Sequence, residues 1–313
     1  MGKQKLREVF SNKILEEAKK DSSIFVVCTD SRGSAMIGDF AEKLPKQFVE
    51  VGIAEQNAVS LASGLAHVGK KVYVVGPASF YSTRASEQIK VDVAYSNNNV
   101  KIIGISGGIS YGNLGATHHS LQDIAFMRSV PNLDVIIPSD ANQMRSIVDD
   151  LLRNEKPTYV RVGRGAVSTI YNQNETFEIG KSRVLRRGSD IAIFVCGQLL
   201  ERALGVADLL KNKGYDATVI DVFTIKPIDK NTILQYSKMC GVGMTIEEHS
   251  IYGGLGGAIA EILIQENPIP LYIAGLPDRE LPNGTDVEVF NAVGLTIQEL
   301  TNKAITMIKH KKE

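Results

Sequence analysis

The stretch Val51–Ala58 reads VGIAEQNA, and it places an ionisable side chain at the start of an apolar helix. A run of small and apolar residues follows directly, so residues 54–68 are predicted to be helical. Side chains four, seven and eleven positions apart share one face of an α-helix. Glu55 has apolar residues at each of these distances, and its carboxylate therefore continues an apolar surface.

Two explanations fit a glutamate in this position. The commoner one is a first-turn acid that the helix dipole stabilises by a few tenths to about 1 kcal/mol. That effect does not require Glu55 to lie on the apolar face. A carboxylate on a buried face needs a partner, or its pKa rises. The segment offers no Arg or Lys for this purpose, so we expect the partner to be a ligand that donates or shares a proton.

The bulk composition excludes several classes of protein. The 313 residues are about twice the usual domain length, so two domains are expected. Acidic and basic residues balance at 35 each, which gives no charge argument for binding nucleic acid or a membrane surface. No run approaches the ~20 apolar residues of a membrane span, and the N-terminal MGKQKLREVF lacks an apolar signal core, so we expect a cytoplasmic protein. Cys28, Cys196 and Cys240 are too few and too scattered for a disulfide framework or a zinc site.

Short apolar runs alternate with amphipathic stretches along most of the chain. The runs are rich in Val and Ile and do not alternate with polar residues, which is typical of parallel strands buried on both faces. They are Ile24–Cys28, Val72–Val75, Val100–Ile105, Val135–Ile137, Tyr159–Val162, Ile191–Cys196, Ala217–Val222, Val242–Ile246 and Leu271–Ala274. The helices predicted between them include Leu6–Lys20, Ala141–Arg153, Leu199–Lys213 and Ile259–Gln265. Repeated βα units predict an α/β protein of two doubly wound domains with mostly parallel sheets.

A polar break, Tyr171–Arg187, separates two series of βα units, and we divide the chain into domains at 1–180 and 188–313. Sites in doubly wound sheets lie at the carboxyl ends of the strands. The segments at those ends hold most of the unusual residues of the chain, and most of these segments lie in the first domain. They are Thr29–Ser34, Ala54–Asn57, Gly76–Thr83, Ser106–His119, Gly163–Gly165 and Glu247–Gly257.

The motif Gly52–Gln56 (GIAEQ), its small-residue helix and the later Gly115–His118 (GATH) resemble the pyrimidine-binding domain of thiamine diphosphate enzymes. The resemblance implies that Glu55 is a catalytic and cofactor-binding residue that hydrogen-bonds N1′ of the aminopyrimidine. This contact favours the imino tautomer, whose 4′ nitrogen removes the proton from thiazolium C2. A carboxylate in a dry site suits this role, because it holds the shared proton strongly.

A longer block resembles transketolases in particular. Gly115–His119 precedes Asp123 and Met127–Leu133 (MRSVPNL), as Gly-Pro-Thr-His precedes Leu-Arg-x-x-Pro-Asn in that family. The resemblance implies that His118 contacts substrate oxygens and helps to move protons. The alternative is a loop histidine bonded to the backbone. His118 and His119 would point opposite ways on an extended segment, so only one of them is expected at the site.

The resemblance also implies a site for the substrate phosphate. Arg164 lies between two glycines where transketolases place a Ser-Arg that grips this group. Ser34, four residues after Asp30, matches a second contact, and Arg7 more loosely matches a third. We count Asp30 among the substrate-binding candidates. The planar guanidinium suits phosphate because it binds two oxygens at once. For Arg7 and Arg161 the alternative is a surface cation.

Phe80 and Tyr81 lie where the family carries the aromatic residue that stacks on the pyrimidine, and either fits this role. The alternative is a core aromatic after a buried strand. The second domain, with Glu247–His249 and Gly253–Gly257, resembles the transketolase C-terminal domain. The resemblance gives that domain a role in packing and subunit contacts but no catalytic residue, and we expect His249 to be structural.

The resemblance covers nearly the whole chain but only the last two domains of a three-domain transketolase. The diphosphate and metal motif of the family, Gly-Asp-Gly followed by Asn, has no counterpart in the sequence, and Gly38–Phe40 (GDF) is the nearest match. We therefore expect the C-terminal subunit of a split transketolase, with the diphosphate and Mg²⁺ or Ca²⁺ held by an N-terminal partner subunit. The expected assembly is an α2β2 heterotetramer that shares thiamine diphosphate between its subunits and acts on sugar phosphates.

Two departures leave the ketose donor and the aldose acceptor open. Ser106 stands where transketolases carry a histidine, and Leu114 where they carry an aspartate, and both family residues read donor hydroxyl groups. Three alternatives remain: a deoxyxylulose-phosphate synthase-like enzyme, a 2-oxoacid dehydrogenase beta subunit, and a non-catalytic paralogue that only binds the cofactor. The run of residues 118–132 favours a split transketolase over the first two. The presence of Glu55 and His118 argues against the third.

Overall fold

Three sheets organise the part of the chain that the computed structural model describes, residues 2–312. The strands are β1 (Lys3–Lys5), β2 (Ile24–Cys28), β3 (Phe48–Glu50), β4 (Lys71–Pro77), β5 (Val100–Ile105), β6 (Asp134–Ile136), β7 (Thr158–Val162), β8 (Ala166–Ser168), β9 (Arg183–Arg186), β10 (Ile191–Val195), β11 (Ala217–Asp221), β12 (Thr224–Lys226), β13 (Gly243–Ser250) and β14 (Leu271–Leu276). The α-helices are α1 (Leu6–Ala18), α2 (Arg32–Ala35), α3 (Gly38–Lys43), α4 (Glu55–His67), α5 (Ala78–Arg84), α6 (Ser86–Gln88), α7 (Asp123–Ser129), α8 (Ala141–Arg153), α9 (Leu200–Asn212), α10 (Lys230–Cys240), α11 (Leu255–Glu266), α12 (Asp286–Ala292) and α13 (Ile297–Lys312). A π-helix, Ile89–Tyr95, and short 3-10 helices at Pro45–Gln47, Gly112–Thr117 and Gly197–Leu199 complete the structure.

The first sheet has the strand order β12-β6-β7-β5-β4-β2-β3, and β2 to β7 run parallel. Its strands are apolar on both faces, and alternate residues enter two separate cores. Val26 and Tyr73 pack with α1 and α8, whereas Val27 and Val74 pack with α4. The sheet is therefore covered by helices on both sides, as a doubly wound domain requires.

The second sheet has the order β14-β13-β10-β11-β9, with β9 as an antiparallel edge and the other strands parallel. Helices α9 and α13 contribute to one core, and α10 and α11 to the other. These two sheets confirm the predicted α/β class with two doubly wound domains. Each predicted apolar run overlaps a strand, with ends that differ by a few residues. The strands that were not predicted are short ones of three or four residues, too short to show a pattern: β1, β3, β8, β9 and β12.

The two halves of the chain are joined more closely than the sequence indicates. β12 belongs to the second half by sequence, but it pairs antiparallel with β6 as an edge of the first sheet. The expected polar break also packs into the core. Tyr171 and Phe177 are buried, and the Phe177 ring meets Phe223 at 5.6 Å between centroids. The domain boundaries at residues 180 and 188 stay a prediction.

Three local features complete the description of the fold. The Asp140 side chain caps α8 by accepting a hydrogen bond from the backbone N–H of Gln143. The three cysteines are unpaired and buried, and burial raises the pKa of Cys28 to about 11. Among the helices of residues 2–312, none combines the length and apolar character needed to cross a membrane.

Candidate active site

Glu55 is the first residue of α4 and is only 1% exposed. The turn before the helix contains Gly52, whose φ of +70° lies in the region that favours glycine. The predicted apolar face is present, because Val59 and Ala62 are buried along the same helix. The expectation that no basic residue pairs with Glu55 is wrong. Nη1 of Arg84 lies 2.6 Å from Oε2 of Glu55.

Arg84 was missed because it comes from a different helix, 29 residues further along the chain. It is the last residue of α5, which packs against α4. The Arg84 side chain is 45% exposed and that of Glu55 only 2%, so the cation closes the solvent side of a buried carboxylate. The pair occupies one of the two carboxylate oxygens, Oε2.

The two aromatic candidates have different environments. The Phe80 ring is half-buried, lies 4.7 Å below the Arg84 guanidinium and meets the His118 ring at 5.4 Å between centroids. Tyr81 is fully buried, and its hydroxyl lies 3.2 Å from Oγ1 of Thr29. Of these two residues, only Phe80 is partly exposed. Tyr81 has the core role that was the alternative for this pair.

His118 lies between two aromatic rings at the end of the 3-10 helix Gly112–Thr117. Its ring centroid is 5.4 Å from that of Phe80 and 5.3 Å from that of Tyr111, and Nδ1 lies 2.9 Å from the Thr117 hydroxyl. His118 is half-buried, whereas His119 is buried, and burial lowers the pKa of His119. The two rings thus differ in exposure as expected, although the backbone at His118 is helical and not extended.

Arg164 and Arg7 form a second part of the site. Cζ of Arg164 lies 4.7 Å from the Tyr111 ring centroid. Burial, and then the nearby charge of Arg164, lower the pKa of Arg7, whose Nη1 donates to the backbone carbonyl of Ser34. Nε of Arg7 and Nη1 of Arg164 are buried without a hydrogen-bond partner among residues 2–312. Two neighbouring guanidinium groups with unused donors can receive an anion.

Most of the candidate residues are linked one to the next, and we call this set the contact series. Direct side-chain contacts link Glu55, Arg84, Phe80, His118, Tyr111 and Arg164, in that order. The charge of Arg164 acts on the neighbouring Arg7, and Arg7 donates a hydrogen bond to Ser34. Tyr81 and Asp30 lie outside the contact series. Asp30 is exposed at the end of β2, with φ +51°, and its N–H donates to Oε1 of Glu50 at 2.7 Å. Arg84 and Tyr111 belong to the series and were not predicted. The rule that sites lie at strand ends pointed to the segment that holds Tyr111 and to one that ends just before Arg84, but it could not select these side chains.

The two departures from the transketolase pattern lie in the same region. Ser106 follows β5 with φ +56°, and its buried hydroxyl has no hydrogen-bond partner among residues 2–312. A non-glycine residue in this conformation is strained, and such residues concentrate at functional sites. Leu114 is 53% exposed. An apolar side chain of this size on an open surface can contact substrate but cannot read a hydroxyl group.

An open cleft of about 540 Å³ lies beside Arg164, between the two halves of the chain. The first half lines it with Tyr111, Asn113 and Leu114, and the second half with Asp286 and Val287. Burial raises the pKa of the Asp286 carboxyl group. The second domain thus forms part of the wall of the site, which the sequence did not indicate.

Arg7 and Arg161 are not surface cations, because they are only 7% and 4% exposed. Nε of Arg161 lies 3.0 Å from Oδ2 of Asp123, and its Nη2 donates to the backbone carbonyl of Glu248 at 2.6 Å. Burial opposes the charge of Arg161, but the carboxylates of Asp123 and Glu248 outweigh burial and raise its pKa. Arg161 therefore binds a carboxylate of the first domain and the backbone of the second.

His249 has the structural role expected of it. It is fully buried, its Nε2 accepts from the N–H of Ala125 at 3.3 Å, and its Nδ1 lies 2.8 Å from the carbonyl oxygen of Ser250. Burial lowers its pKa, which favours the neutral ring that this arrangement needs. Within residues 2–312, no group of three or more His, Cys, Asp or Glu side chains is placed to hold a metal ion.

Comparison with known proteins assigns the class of the chain. Residues 2–169 match the family model for the transketolase pyrimidine-binding domain, and residues 180–300 match that for the transketolase C-terminal domain. These two domains together define a chain of the thiamine diphosphate-dependent class. The chain belongs to the transketolase family, and this membership implies the use of thiamine diphosphate.

Relatives that are themselves single subunits align over almost their whole length. One subunit of the apulose-4-phosphate transketolase of Phocaeicola vulgatus is 47% identical over 305 residues, which are 97% of this chain and 97% of that protein. The 6-deoxy-6-sulfo-D-fructose transketolase subunit SqwH of a Clostridium species is 33% identical and covers 98% of this chain and 95% of its own. A solved structure described as a split gene transketolase, inactive beta4 tetramer, is 34% identical with a TM-score of 0.89, over 98% of this chain and 99% of the other.

Proposed function

We propose that this chain is the C-terminal (beta) subunit of a split transketolase, which transfers a two-carbon ketol unit from a ketose phosphate to an aldose. The observation that carries the proposal is the contact series. It joins a buried acid, a partly exposed aromatic ring, a histidine and an arginine with an unused donor through consecutive side-chain contacts. When bound, thiamine diphosphate supplies the nucleophilic carbon and the electron sink for cleaving and forming the carbon–carbon bond.

Glu55 and Phe80 fit the aminopyrimidine part of this cofactor. Glu55 is a buried carboxylate with Oε2 bonded to Arg84, so Oε1 is the oxygen that we assign to N1′. Phe80 supplies the half-buried ring for stacking. Arg84 holds the carboxylate in place and shields it from solvent. A buried acid that is fixed in this way can hold a proton at N1′ without solvent competition.

His118 and the arginine pair fit the substrate. The Thr117 hydroxyl occupies Nδ1 of His118, which leaves Nε2 to hold or move a proton at a substrate oxygen. Arg164 and Arg7 supply the unused donors for the phosphate, and Ser34 lies beside them. Asp30 is proposed only as a nearby group at the same strand end.

The N-terminal partner subunit is part of the proposal. Relatives that match this chain end to end are named as single subunits of a transketolase, and one is described as the product of a split gene. We assign the cofactor diphosphate and its Mg²⁺ or Ca²⁺ to that partner, in an α2β2 assembly. The donor is proposed as a ketose phosphate. Because the relative at 47% identity is named for apulose 4-phosphate, this ketose is the first donor to test beside xylulose 5-phosphate.

The test is reconstitution. This chain is mixed with the N-terminal subunit encoded beside it, thiamine diphosphate and Mg²⁺, and each donor is supplied with an aldose acceptor. Transfer of a two-carbon unit, seen as a new ketose phosphate, supports the proposal. Release of carbon dioxide from pyruvate, with no ketol transfer, would instead identify a synthase or a 2-oxoacid dehydrogenase component.

A matched pair of variants separates the two aromatic candidates. Phe80→Ala should raise the Kd of the reconstituted enzyme for thiamine diphosphate roughly tenfold, because a ring contact contributes about 0.5–1.5 kcal/mol. Tyr81→Phe should leave this Kd unchanged and lower the free energy of unfolding by about 1 kcal/mol, because it removes the hydrogen bond to Thr29. Calorimetry and chemical denaturation measure the two quantities. An unchanged Kd in Phe80→Ala would instead remove Phe80 from the stacking role.

A further inference from the structure

A buried acidic side chain of the second domain reaches into the loop that carries His118. We define the His118 loop as residues 107–120. Glu248, near the end of β13, extends its carboxylate into this loop, where Oε1 accepts a hydrogen bond from the backbone N–H of Ile109 at 2.8 Å. Glu248 is 5% exposed.

The contact lies at the point where the His118 loop closes on itself. Gly108 and Ser120 form an antiparallel bridge, with N–H to carbonyl distances of 3.0 and 2.8 Å in the two directions. Gly108 has φ +67°, and a Cβ added there would lie 2.2 Å from Oε1 of Glu248. The loop backbone thus approaches Glu248 as closely as a glycine allows. Ile109, the next residue, donates the hydrogen bond.

The Glu248 carboxylate is itself held on its other side. Gln198 donates from Nε2 to Oε2 of Glu248, and Arg161 donates to the Glu248 backbone carbonyl. A buried carboxylate without partners is costly, so these contacts fix where the acceptor for Ile109 lies. Arg161 is in turn paired with Asp123, three residues beyond the loop. Glu248 and Arg161 therefore hold the chain near both ends of the His118 loop, at Ile109 and at Asp123.

Glu247, the neighbour of Glu248 in β13, is an acid whose hydrogen bonds are structural. Glu247 is equally buried, but its oxygens accept from the N–H groups of Leu255 and Gly256, at 2.6 and 2.7 Å, at the start of α11. Both contacts stay within the second domain. Adjacent residues of a strand point to opposite faces, which explains why one acid faces inward to its own helix and the other faces the first domain.

We propose that Glu248 is a positioning residue of the first-domain site: by holding the N–H of Ile109 it fixes the His118 loop, and with it the placement of His118 and Tyr111. The second domain thereby helps to set the geometry of the site, beside the hydrogen bond that the N–H of Gly284 donates to the carbonyl of Gly112 at 3.3 Å. The consequence for turnover rests on the proposed role of His118, whereas the loop-holding itself does not.

The test combines hydrogen exchange with kinetics. In the isolated chain, Glu248→Ala should increase amide exchange of residues 107–120 at least tenfold, and Glu248→Gln should restore protection because its amide oxygen can still accept from Ile109. In the reconstituted enzyme, Glu248→Ala should lower kcat by up to about 10²-fold, the cost of misplacing a reacting group by about 1 Å. Glu248→Gln should recover most of the rate, and KM for cofactor should change little.

Glu247→Ala is the matched control, because it removes an equally buried acid that does not contact the loop. It should lower stability and leave exchange of residues 107–120 unchanged. If Glu248→Ala does not fold, Glu248→Asp withdraws the carboxylate by one carbon and should give the same change to a smaller extent. The proposal is overturned if the loop stays protected in Glu248→Ala, or in Glu248→Asp where the alanine variant does not fold, or if Glu247→Ala exposes the loop equally. Increased exchange with unchanged kcat overturns the positioning role and leaves the transketolase proposal intact.

Discussion

Replacing Glu55 by Gln should lower turnover of the reconstituted enzyme by about 10²- to 10⁴-fold, the range observed for positioned proton-transfer groups. Gln has the same shape and keeps one oxygen, but it cannot share a proton with N1′ as a carboxylate does. The fold should be retained. The lost charge weakens the pair with Arg84, but the remaining amide oxygen of Gln can still accept a hydrogen bond from that guanidinium.

The control for this experiment is Glu16→Gln, which changes an exposed acid on α1 in the same way. Turnover, circular dichroism and thermal unfolding are measured for both variants. Glu16→Gln should match the parent protein in all three. A Glu55→Gln enzyme with full turnover would remove Glu55 from the chemistry and leave it as a first-turn acid with an arginine partner.

Replacing Arg164 by Ala should raise KM for a ketose phosphate by about 10- to 10²-fold and change kcat little. Hydrogen bonds to charged groups contribute about 1.5–3 kcal/mol, and every 1.4 kcal/mol is a factor of ten. The unused, buried Nη1 of Arg164 is the donor that this change removes. Arg164→Lys should recover part of the affinity, because lysine keeps the positive charge but cannot form the bidentate hydrogen bonds of a guanidinium.

Two controls identify the phosphate as the group that Arg164 binds. The same ketose without its phosphate should have a KM that Arg164→Ala leaves unchanged. Arg153→Ala, which removes a 72% exposed arginine at the end of α8, should have no effect on either donor. Equal loss for phosphorylated and unphosphorylated donors would show that Arg164 acts on the loop or on Tyr111 and not on phosphate.

The sequence was sufficient where a pattern is local. The helical period placed Glu55 on an apolar face, and runs of Val and Ile located the central strands, because burial on both faces leaves little choice of residue. The rule that sites lie at strand ends gathered six of the eight residues of the contact series into a few segments. These inferences need only neighbours in sequence.

The sequence was insufficient where a side chain depends on a distant partner. Arg161 and Arg164 are three residues apart and of one type, but one is buried against Asp123 and Glu248, and the other keeps a free donor beside Tyr111. The sequence places Arg161 in a predicted strand and Arg164 just after it, but nothing local predicts the buried partners of Arg161. Arg84 was missed for the same reason, since its contact with Glu55 depends on how α5 packs against α4.

The contribution of the second domain to the candidate site also could not be predicted from the sequence. Glu248 lies in a run of polar residues at the end of a strand, and its neighbours Glu247 and His249 have structural roles within or between the domains. Only the approach of the His118 loop, through Ile109, distinguishes it. β12 crosses to the first sheet in the same way, by pairing with a strand that is far away in the sequence.

The central claim is that this chain holds half of a thiamine diphosphate site. Calorimetric titration of thiamine diphosphate with Mg²⁺ into the isolated chain, and into its mixture with the N-terminal subunit, tests this claim most directly. We predict weak binding and no turnover for the isolated chain, and tight, Mg²⁺-dependent binding with one cofactor per subunit pair for the mixture. Tight Mg²⁺-dependent binding by this chain alone would contradict the claim.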